Sequence, residues 1–93
     1  MPPRPVAGLA SNQRPDYPES ARRRREEGRV VVHVAVSADG LPVDVTVAST
    51  SGYPVLDAAA VAAVRRWHFV PATQGGVPVA AGADVPIRFH LED

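Results

Sequence analysis

The sequence predicts an α+β domain in which two helices pack on one face of a three-stranded antiparallel sheet, with a split βαβ connection. Three stretches alternate apolar and polar residues with a period of two, which is typical of half-buried strands. Two further stretches have helical spacing and helix-terminating residues at their ends. Ninety-three residues with 45% hydrophobic content are enough for one small core, so we expect a single folded domain.

The chain is expected to divide into a leading segment and the domain itself. Residues 1–13 contain several prolines and few large apolar side chains, so they are expected to form a flexible segment. Residues 14–93 carry all the main strand and helix patterns. They are therefore expected to form the domain.

The first helix is expected to begin at Tyr17 and Pro18 and to end at Gly28. Proline suits the first helical position, and Asp16 and Glu19 place acids near the positive end of the helix dipole. Glycine suits the left-handed residue that follows a last helical turn. Between these ends, each arginine precedes the glutamate with which it can pair, and this order is less favourable with respect to the helix dipole. We therefore expect the helix to depend on tertiary contacts.

The first two strands are expected to form a hairpin. In the first strand, the valines at alternate positions should face the core: Val30, Val32, Val34 and Val36. The dipeptide Asp39-Gly40 predicts a type I′ turn, because both residues tolerate a positive φ. In the second strand, the residues expected to face the core are Val43, Val45 and Val47.

The second helix is expected after Ser51-Gly52. Its apolar residues recur at helical spacing: Leu56, Ala59, Ala60, Ala63, Val64 and Trp67. The many alanines raise its helix propensity, and Pro71 is expected to end it. The spacing favours Trp67 as the main aromatic plug of the core over a role as a ligand platform.

The third main strand is expected from Val85 to Leu91, after a glycine-containing loop with a short strand at residues 77–79. The preceding helix crosses the sheet, so this strand lies either parallel beside the second strand or antiparallel beside the first. We prefer the antiparallel arrangement, which makes the last strand an edge. Pro86 agrees with an edge, because proline cannot donate to a strand ladder.

Composition argues against several classes of function. A net charge of zero gives no overall attraction for nucleic acid or an anionic membrane. The absence of cysteine removes disulfides, thiolate metal sites and thiol catalysis. No stretch approaches the about 18 apolar residues of a membrane span. We expect a domain that is not an enzyme and needs no cofactor.

Three sets of side chains invite a more specific interpretation. His33 and His90 are expected to share the open face of the sheet, but two imidazoles without a third ligand form a weak metal site. Ser51 and Asp57 occur in no motif that pairs a serine with a histidine base. The arginines at 22–25 are interpreted as a solvated helix face, with binding of an acidic polymer or lipid as the alternative.

The uncovered edge strand is expected to be the functional feature. Unpaired N–H and C=O groups at an edge capture an extended peptide by strand addition. Backbone groups alternate in direction, so every second residue of the strand points outward. The backbone of Pro86 is expected to point outward, but proline has no N–H to donate. Arg88 and His90 are therefore the expected docking positions.

A series of short motifs marks the ends of the predicted helices and strands between Arg14 and Leu91. They are Tyr17-Pro18, Glu27-Gly28, Asp39-Gly40, Ser51-Gly52, Leu56-Asp57-Ala58-Ala59, Trp67-His68-Phe69-Val70-Pro71-Ala72 and Val85-Pro86-Ile87-Arg88-Phe89. In order and spacing, this series resembles the C-terminal domain of TonB-type energy transducers. The resemblance implies the split βαβ fold and a periplasmic location within a protein anchored in the inner membrane.

The resemblance also implies a function without chemistry. Domains of this family capture the box peptide of an outer-membrane TonB-dependent transporter on the edge strand and transmit force derived from the proton gradient. The other implied partners are an inner-membrane proton-channel complex, reached through an upstream region, and peptidoglycan. The prolines at residues 2–5 are expected to be the remnant of the family's spacer, with a naturally short protein as the alternative.

The expected partner-binding residues follow from the edge and the resemblance: Gln13, Arg14, Asp16, Arg88, Phe89, His90 and Leu91. The stretch before Tyr17 resembles the family's contact segment, although Arg14 occupies the place of the contacting glutamine and Gln13 is displaced by one residue. No catalytic or metal-binding residue is expected. The alternative function is a TolA-like or cell-wall-docking domain of an envelope machine without a transporter client.

Overall fold

A computed structural model describes residues 1–6 and 12–91. The elements in these ranges are β1 Arg4–Pro5, α1 Glu19–Arg23, β2 Gly28–Val36, β3 Pro42–Ser49, α2 Pro54–Val64, β4 Phe69–Val70, β5 Ala72–Gln74, β6 Val77–Val79 and β7 Ala81–Phe89. The main sheet has the order β3-β2-β7, and β2 is antiparallel to both neighbours. The predicted fold class is confirmed, and so is the antiparallel placement of the last strand beside the first main strand.

The core lies between the main sheet and α2. The alternating valines of β2 are fully or almost fully buried, as predicted: Val30, Val32, Val34 and Val36. β7 contributes Val85, Ile87 and Phe89 to the core, and α2 contributes Leu56 and Val64. The period of two places the strand residues on one face, which α2 covers through its contacts with β2 and β3.

The strand β3 is less covered than the sequence predicts. Val45 is buried, but Val43 and Val47 are 68% and 39% exposed. α1 has only 5 residues and α2 has 11, so the helical layer does not extend across β3, which forms the second edge of the sheet. Val47 lies opposite Val32 and so shares the core face as predicted, but it is not buried. Val43 lies at a shift in the strand register and is exposed, so the prediction that both are core residues is wrong.

The turn between β2 and β3 differs from the predicted type I′ turn. The Gly40 amide donates to the Ser37 carbonyl, and the Ser37 amide donates to the Leu41 carbonyl, both at 2.9 Å. Gly40 has a φ of +84°, whereas Asp39 has no positive φ. The loop is therefore a type I turn followed by a left-handed glycine. A Cβ atom on Gly40 would lie 2.2 Å from the Phe69 carbonyl oxygen, so only glycine fits.

α1 ends earlier than predicted, at Arg23. The left-handed residue that follows the helix is Arg25, with a φ of +54°. The Arg25 amide donates to the Arg22 carbonyl at 3.2 Å, and the Glu26 amide donates to the Ala21 carbonyl at 2.9 Å. These two bonds form a Schellman motif in which arginine occupies the position that usually holds glycine.

Gly28 has a different role from the helix terminator that the sequence predicts. It is the first residue of β2. A Cβ atom there would lie 2.9 Å from both the Cβ atom and the carbonyl oxygen of Ser51. Glycine is needed at this position because the backbone passes close to the end of β3, and not because a helix ends there.

α2 also ends earlier than predicted, well before Pro71. Trp67 lies beyond the helix, and its half-buried side chain packs at the margin of the core. Its Nε1 donates to the Gln13 carbonyl oxygen at 2.9 Å. The prediction that Trp67 is the main core plug is therefore wrong, because Leu56 is the largest fully buried side chain among the described residues.

The described part of the leading segment lies against the domain. β1 pairs antiparallel with β4, and the Val6 amide donates to the His68 carbonyl at 3.0 Å. Asn12 Nδ2 donates to both the Val6 and His68 carbonyl oxygens, at 2.7 Å each. The flexibility of residues 1–13 stays a prediction, and residues 7–11 and 92–93 lie outside the described ranges.

β5 and β6 form a small hairpin separate from the main sheet. This hairpin confirms the short strand predicted at residues 77–79. In the part of the chain that the structure describes, no helix is both long enough and apolar enough to cross a membrane.

Candidate functional site

β7 forms one edge of the main sheet. It pairs with β2 on one side, and within residues 1–6 and 12–91 no strand pairs with its other side. Pro86 lies opposite Val31, and because proline has no N–H this pair is not hydrogen-bonded. The pairs on either side then carry the ladder bonds, so the backbone groups of Asp84 and Arg88 point away from the sheet.

A groove runs beside this edge, between β7 and the segment that precedes α1. It has a volume of about 350 Å³. Its walls are Arg14, Pro15, Asp16, Tyr17, Arg22, Ile87, Arg88, Phe89 and His90. Most of the predicted contact residues therefore line one groove, although Gln13 and Leu91 do not. Contact of any of these predicted residues with a partner stays a prediction.

Aromatic packing holds the two walls of the groove together. The rings of Tyr17 and Phe89 meet edge to face, with centroids 5.4 Å apart. The guanidinium of Arg22 lies 5.5 Å from the centre of the Tyr17 ring. The Tyr17 hydroxyl donates to the Glu26 carbonyl oxygen. Tyr17 therefore fixes the segment before α1 against β7.

The Tyr17 phenol remains protonated at neutral pH. Desolvation and the nearby Glu27 carboxylate raise its pKa above the usual value, and the positive charge of Arg22 offsets only part of that effect. The hydroxyl is consequently a stable donor to the backbone, and the contact that positions the groove wall does not depend on pH in the physiological range.

Arginines outnumber acidic residues among those that line the groove. Arg14, Arg22 and Asp16 line its walls on the helix side, and Arg88 lines it from β7 with a side chain that projects from the opposite face of the sheet. A cleft lined mostly by one sign of charge raises the local concentration of oppositely charged partners. This local charge favours an acidic segment, although the whole chain has a net charge of zero.

The sequence does not reveal Glu27 as a site residue. Its Oε1 accepts a hydrogen bond from the Leu91 amide at 2.7 Å and lies 2.9 Å from His90 Nδ1. Glu27 therefore holds the chain just beyond the end of β7. It also engages the Leu91 N–H and the His90 ring in intramolecular contacts. This role depends on the antiparallel pairing of β2 with β7, which places Glu27 opposite the chain that follows Phe89.

Trp67 lies next to the groove. A second hollow of about 210 Å³ continues the groove and is lined by Arg14, Pro15, Trp67, Pro86, Ile87 and Arg88. The bond from the Trp67 indole to the Gln13 carbonyl anchors the segment that leads into the groove. The ring thus offers an apolar surface beside the edge strand.

The histidines on the open face of the sheet are each paired with an acid. His33 Nδ1 lies 2.7 Å from Asp84 Oδ1, and His90 contacts Glu27. Among the residues that the structure describes, no group of three or more His, Cys, Asp or Glu side chains is placed to hold a metal ion. These pairs are cross-strand contacts of the kind that stabilise sheets.

Asp57 organises the beginning of α2. Its carboxylate accepts bonds from the Ser51 amide at 2.9 Å, the Ser51 hydroxyl at 2.7 Å and the Thr50 hydroxyl. Desolvation alone would raise the pKa of Asp57, but these hydrogen bonds outweigh it and lower the pKa below the usual value. The contact between Ser51 and Asp57 therefore stabilises the beginning of α2.

Comparisons with known proteins agree on one family. The profile described as "Gram-negative bacterial TonB protein C-terminal" matches residues 13–91. Similar curated proteins include tonB2 of Pseudomonas aeruginosa, 46% identical over 85 residues, and TonB of Vibrio cholerae, 38% identical over 84 residues. These alignments cover 91% and 90% of this chain but only 32% and 34% of the relatives. The chain thus spans about a third of their length.

Solved structures give the same result. The solution structure of the Pseudomonas aeruginosa TonB C-terminal domain has a TM-score of 0.75 at 30% identity, and the match covers 98% of this chain and 88% of that chain. A Helicobacter pylori TonB C-terminal domain has a TM-score of 0.68 at 26% identity, with coverage of 90% and 88%.

The fold and the groove define a small protein-interaction domain with an open sheet edge. The family profile matches most of the chain, and a curated relative shares nearly half of its aligned residues. The chain belongs to the TonB C-terminal domain family, which confirms the resemblance found in the sequence. TonB proteins are energy transducers of the cell envelope that act through protein contacts.

Proposed function

We propose that this domain captures the box peptide of an outer-membrane TonB-dependent transporter by strand addition at β7. In this proposal the domain lies in the periplasm. An upstream region joins it to an inner-membrane anchor and a proton-channel complex, and the domain passes their force to the transporter for active uptake. It performs no covalent chemistry. Membership of the TonB C-terminal family supports this class of partner.

The observation that carries the proposal is the outward direction of the β7 backbone beside a groove. A peptide strand paired with Asp84 and Arg88 would bury alternate side chains between β7 and residues 14–17. Arg14 and Asp16 are in reach of those side chains. Pro86 interrupts the row of donors, so we expect weak and largely sequence-tolerant binding.

The proposal is tested by titrating isotope-labelled domain with transporter-box peptides and following amide chemical shifts. We expect shifts along residues 84–90 and 13–17. Arg88→Pro removes an outward donor and should abolish the shifts while the fold persists. The matched control is Val47→Pro, which removes an outward donor on the opposite edge, at β3, and should leave binding unchanged.

Two results would contradict the proposal. The first is the absence of shifts on β7 at saturating peptide. The second is equal loss of binding in Arg88→Pro and Val47→Pro. Binding of cell-wall fragments without any binding of box peptides would instead support the cell-wall-docking alternative.

A further inference from the structure

Two arginines lie directly opposite each other on the open face of the main sheet. Arg29 of β2 pairs with Arg88 of β7 in the strand register. Their sequence neighbours Val30, Ile87 and Phe89 are buried in the core. Because side chains alternate between the faces of a strand, both arginines project from the opposite, uncovered face, and both are exposed.

This register brings two positive charges close together. The pair lies two positions along the ladder from the pair formed by Val31 and Pro86, so it is also not hydrogen-bonded. In pairs of this kind the Cα atoms are only about 4.5 Å apart and the side chains approach each other closely. Guanidinium groups are permanently charged, and like charges at directly opposed positions destabilise a sheet.

The nearest acids contact other groups and not the arginine pair. Glu27 is engaged with the end of β7, and Asp84 is engaged with His33. Within residues 1–6 and 12–91, neither arginine forms an ion pair or a side-chain hydrogen bond. A hollow of about 260 Å³ lies beside them, lined by residues 27–29 and 88–90. The pair is thus exposed, forms no ion pair among the described residues and lies next to open space, with Glu27 on the wall of the same hollow.

We propose that Arg29 and Arg88 together bind the carboxylate of an acidic side chain in the peptide that adds to β7. The inference rests on the proposed function, because the added strand supplies the residue beside Arg88. That residue would project on the open face, about 5 Å from Arg88 and about 10 Å from Arg29 in the direction across the strands. Both arginine side chains are long enough to reach its carboxylate, which accepts several N–H donors at once.

Charge complementarity on both sides of the edge favours this occupant. The groove wall carries Arg14 and Arg22, so positive charge flanks the added strand on the helix side as well as on the open face. A negative side chain on the peptide would relieve the repulsion between Arg29 and Arg88 while it forms charge-assisted hydrogen bonds. The domain would then select acidic box peptides.

The test compares short transporter-box peptides in which one glutamate is moved through the central positions, each with a matched glutamine peptide. At one position the glutamate peptide should bind about three- to tenfold more tightly. The preference should disappear in Arg29→Gln and in Arg88→Gln, and it should shrink when salt is raised from about 50 to about 500 mM. The control is Arg65→Gln, which makes the same charge change beside the opposite edge of the sheet. This variant should retain the preference for the glutamate peptide.

The outcomes separate the inference from the proposed function. Equal affinity of both peptides at every position, with amide shifts along β7 in each case, overturns the inference and leaves strand addition standing. Shifts by neither peptide overturn both. Cell-wall fragments could instead bind at Arg29 and Arg88 more tightly than the glutamate peptides do. That result would make the cell-wall polymer the ligand of the arginine pair and would overturn the inference.

A measurement on the free domain tests the premise independently. Arg29→Gln should raise the thermal midpoint by about 1–5 °C, because it removes the repulsion across the pair. Arg65→Gln should not raise it. A lower midpoint in Arg29→Gln would show that the free domain already stabilises the arginine pair, which contradicts the premise.

Discussion

Replacing Gly40 with alanine should be among the most damaging single changes in this domain. Gly40 has a φ of +84°, and its carbonyl accepts a hydrogen bond from the Phe69 amide at 2.8 Å. A Cβ atom would lie 2.2 Å from the Phe69 carbonyl oxygen, which is backbone and cannot turn away. The hairpin and β4 would have to separate, and Phe69 is a buried core residue.

The expected loss of stability is at least about 2 kcal/mol. The positive φ costs alanine about 1–2 kcal/mol, and the broken hydrogen bond about 1 kcal/mol. Displacement of the Phe69 ring adds to both. Domains of 93 residues have a total stability of about 5–14 kcal/mol, so a large part of it would be lost.

The matched control is Gly52→Ala. Gly52 has a φ of +95°, but nothing lies within 4 Å of the position that a Cβ atom would take, so only the φ cost of about 1–2 kcal/mol applies. Urea unfolding followed by circular dichroism measures both variants. Equal losses for Gly40→Ala and Gly52→Ala would refute the argument that the contact with Phe69 fixes this turn.

Three further outcomes are expected. Arg25→Gly should be about 1 kcal/mol more stable than Arg25→Ala in urea unfolding, because only glycine adopts a φ of +54° without strain; equal stabilities would contradict this. Trp67→Ala should cost about 1–3 kcal/mol, less than a fully buried aromatic, and a larger loss would mean that the ring is a core plug after all. Asp57→Asn should be less stable than the wild type at pH 7. Because the folded-state pKa of Asp57 is lowered, that difference should shrink as the pH falls below the ordinary value of 3.8, and a difference constant from neutral to acid pH would count against the hydrogen bonds to Ser51.

The main sheet could be predicted because its signals are local and repetitive. The valines of β2 alternate strictly, so the buried face follows from the period of two. Pro86 marked β7 as an edge, because a proline cannot donate within a ladder. The residues lining the groove came partly from this edge and partly from the family resemblance, which placed the stretch before Tyr17 near it.

The remaining features depend on contacts between distant parts of the chain. Glu27 and Leu91 are 64 residues apart, and Trp67 and Gln13 are 54 apart. Neither pairing has a local signature. Gly28 suggested a helix end because glycine usually serves there, whereas its actual constraint is the approach of the end of β3.

The extent of the helical layer could not be read from the strand pattern either. Val43 and Val47 have the alternation of core residues, but whether a residue is covered depends on how far the helices extend. A short α1 leaves β3 at an open edge. A strand pattern therefore predicts which residues share a face more reliably than it predicts their burial.

Amide hydrogen exchange along β7 tests the central claim most directly, because strand addition protects only the outward-pointing donors. We expect the Arg88 and Asp84 amides to exchange fast in the free domain and slowly with box peptide bound. The Ile87 and Phe89 amides, which face β2, should be protected in both states. Slow exchange at Arg88 in the free domain, or no change at Arg88 and Asp84 with saturating peptide, would contradict the account.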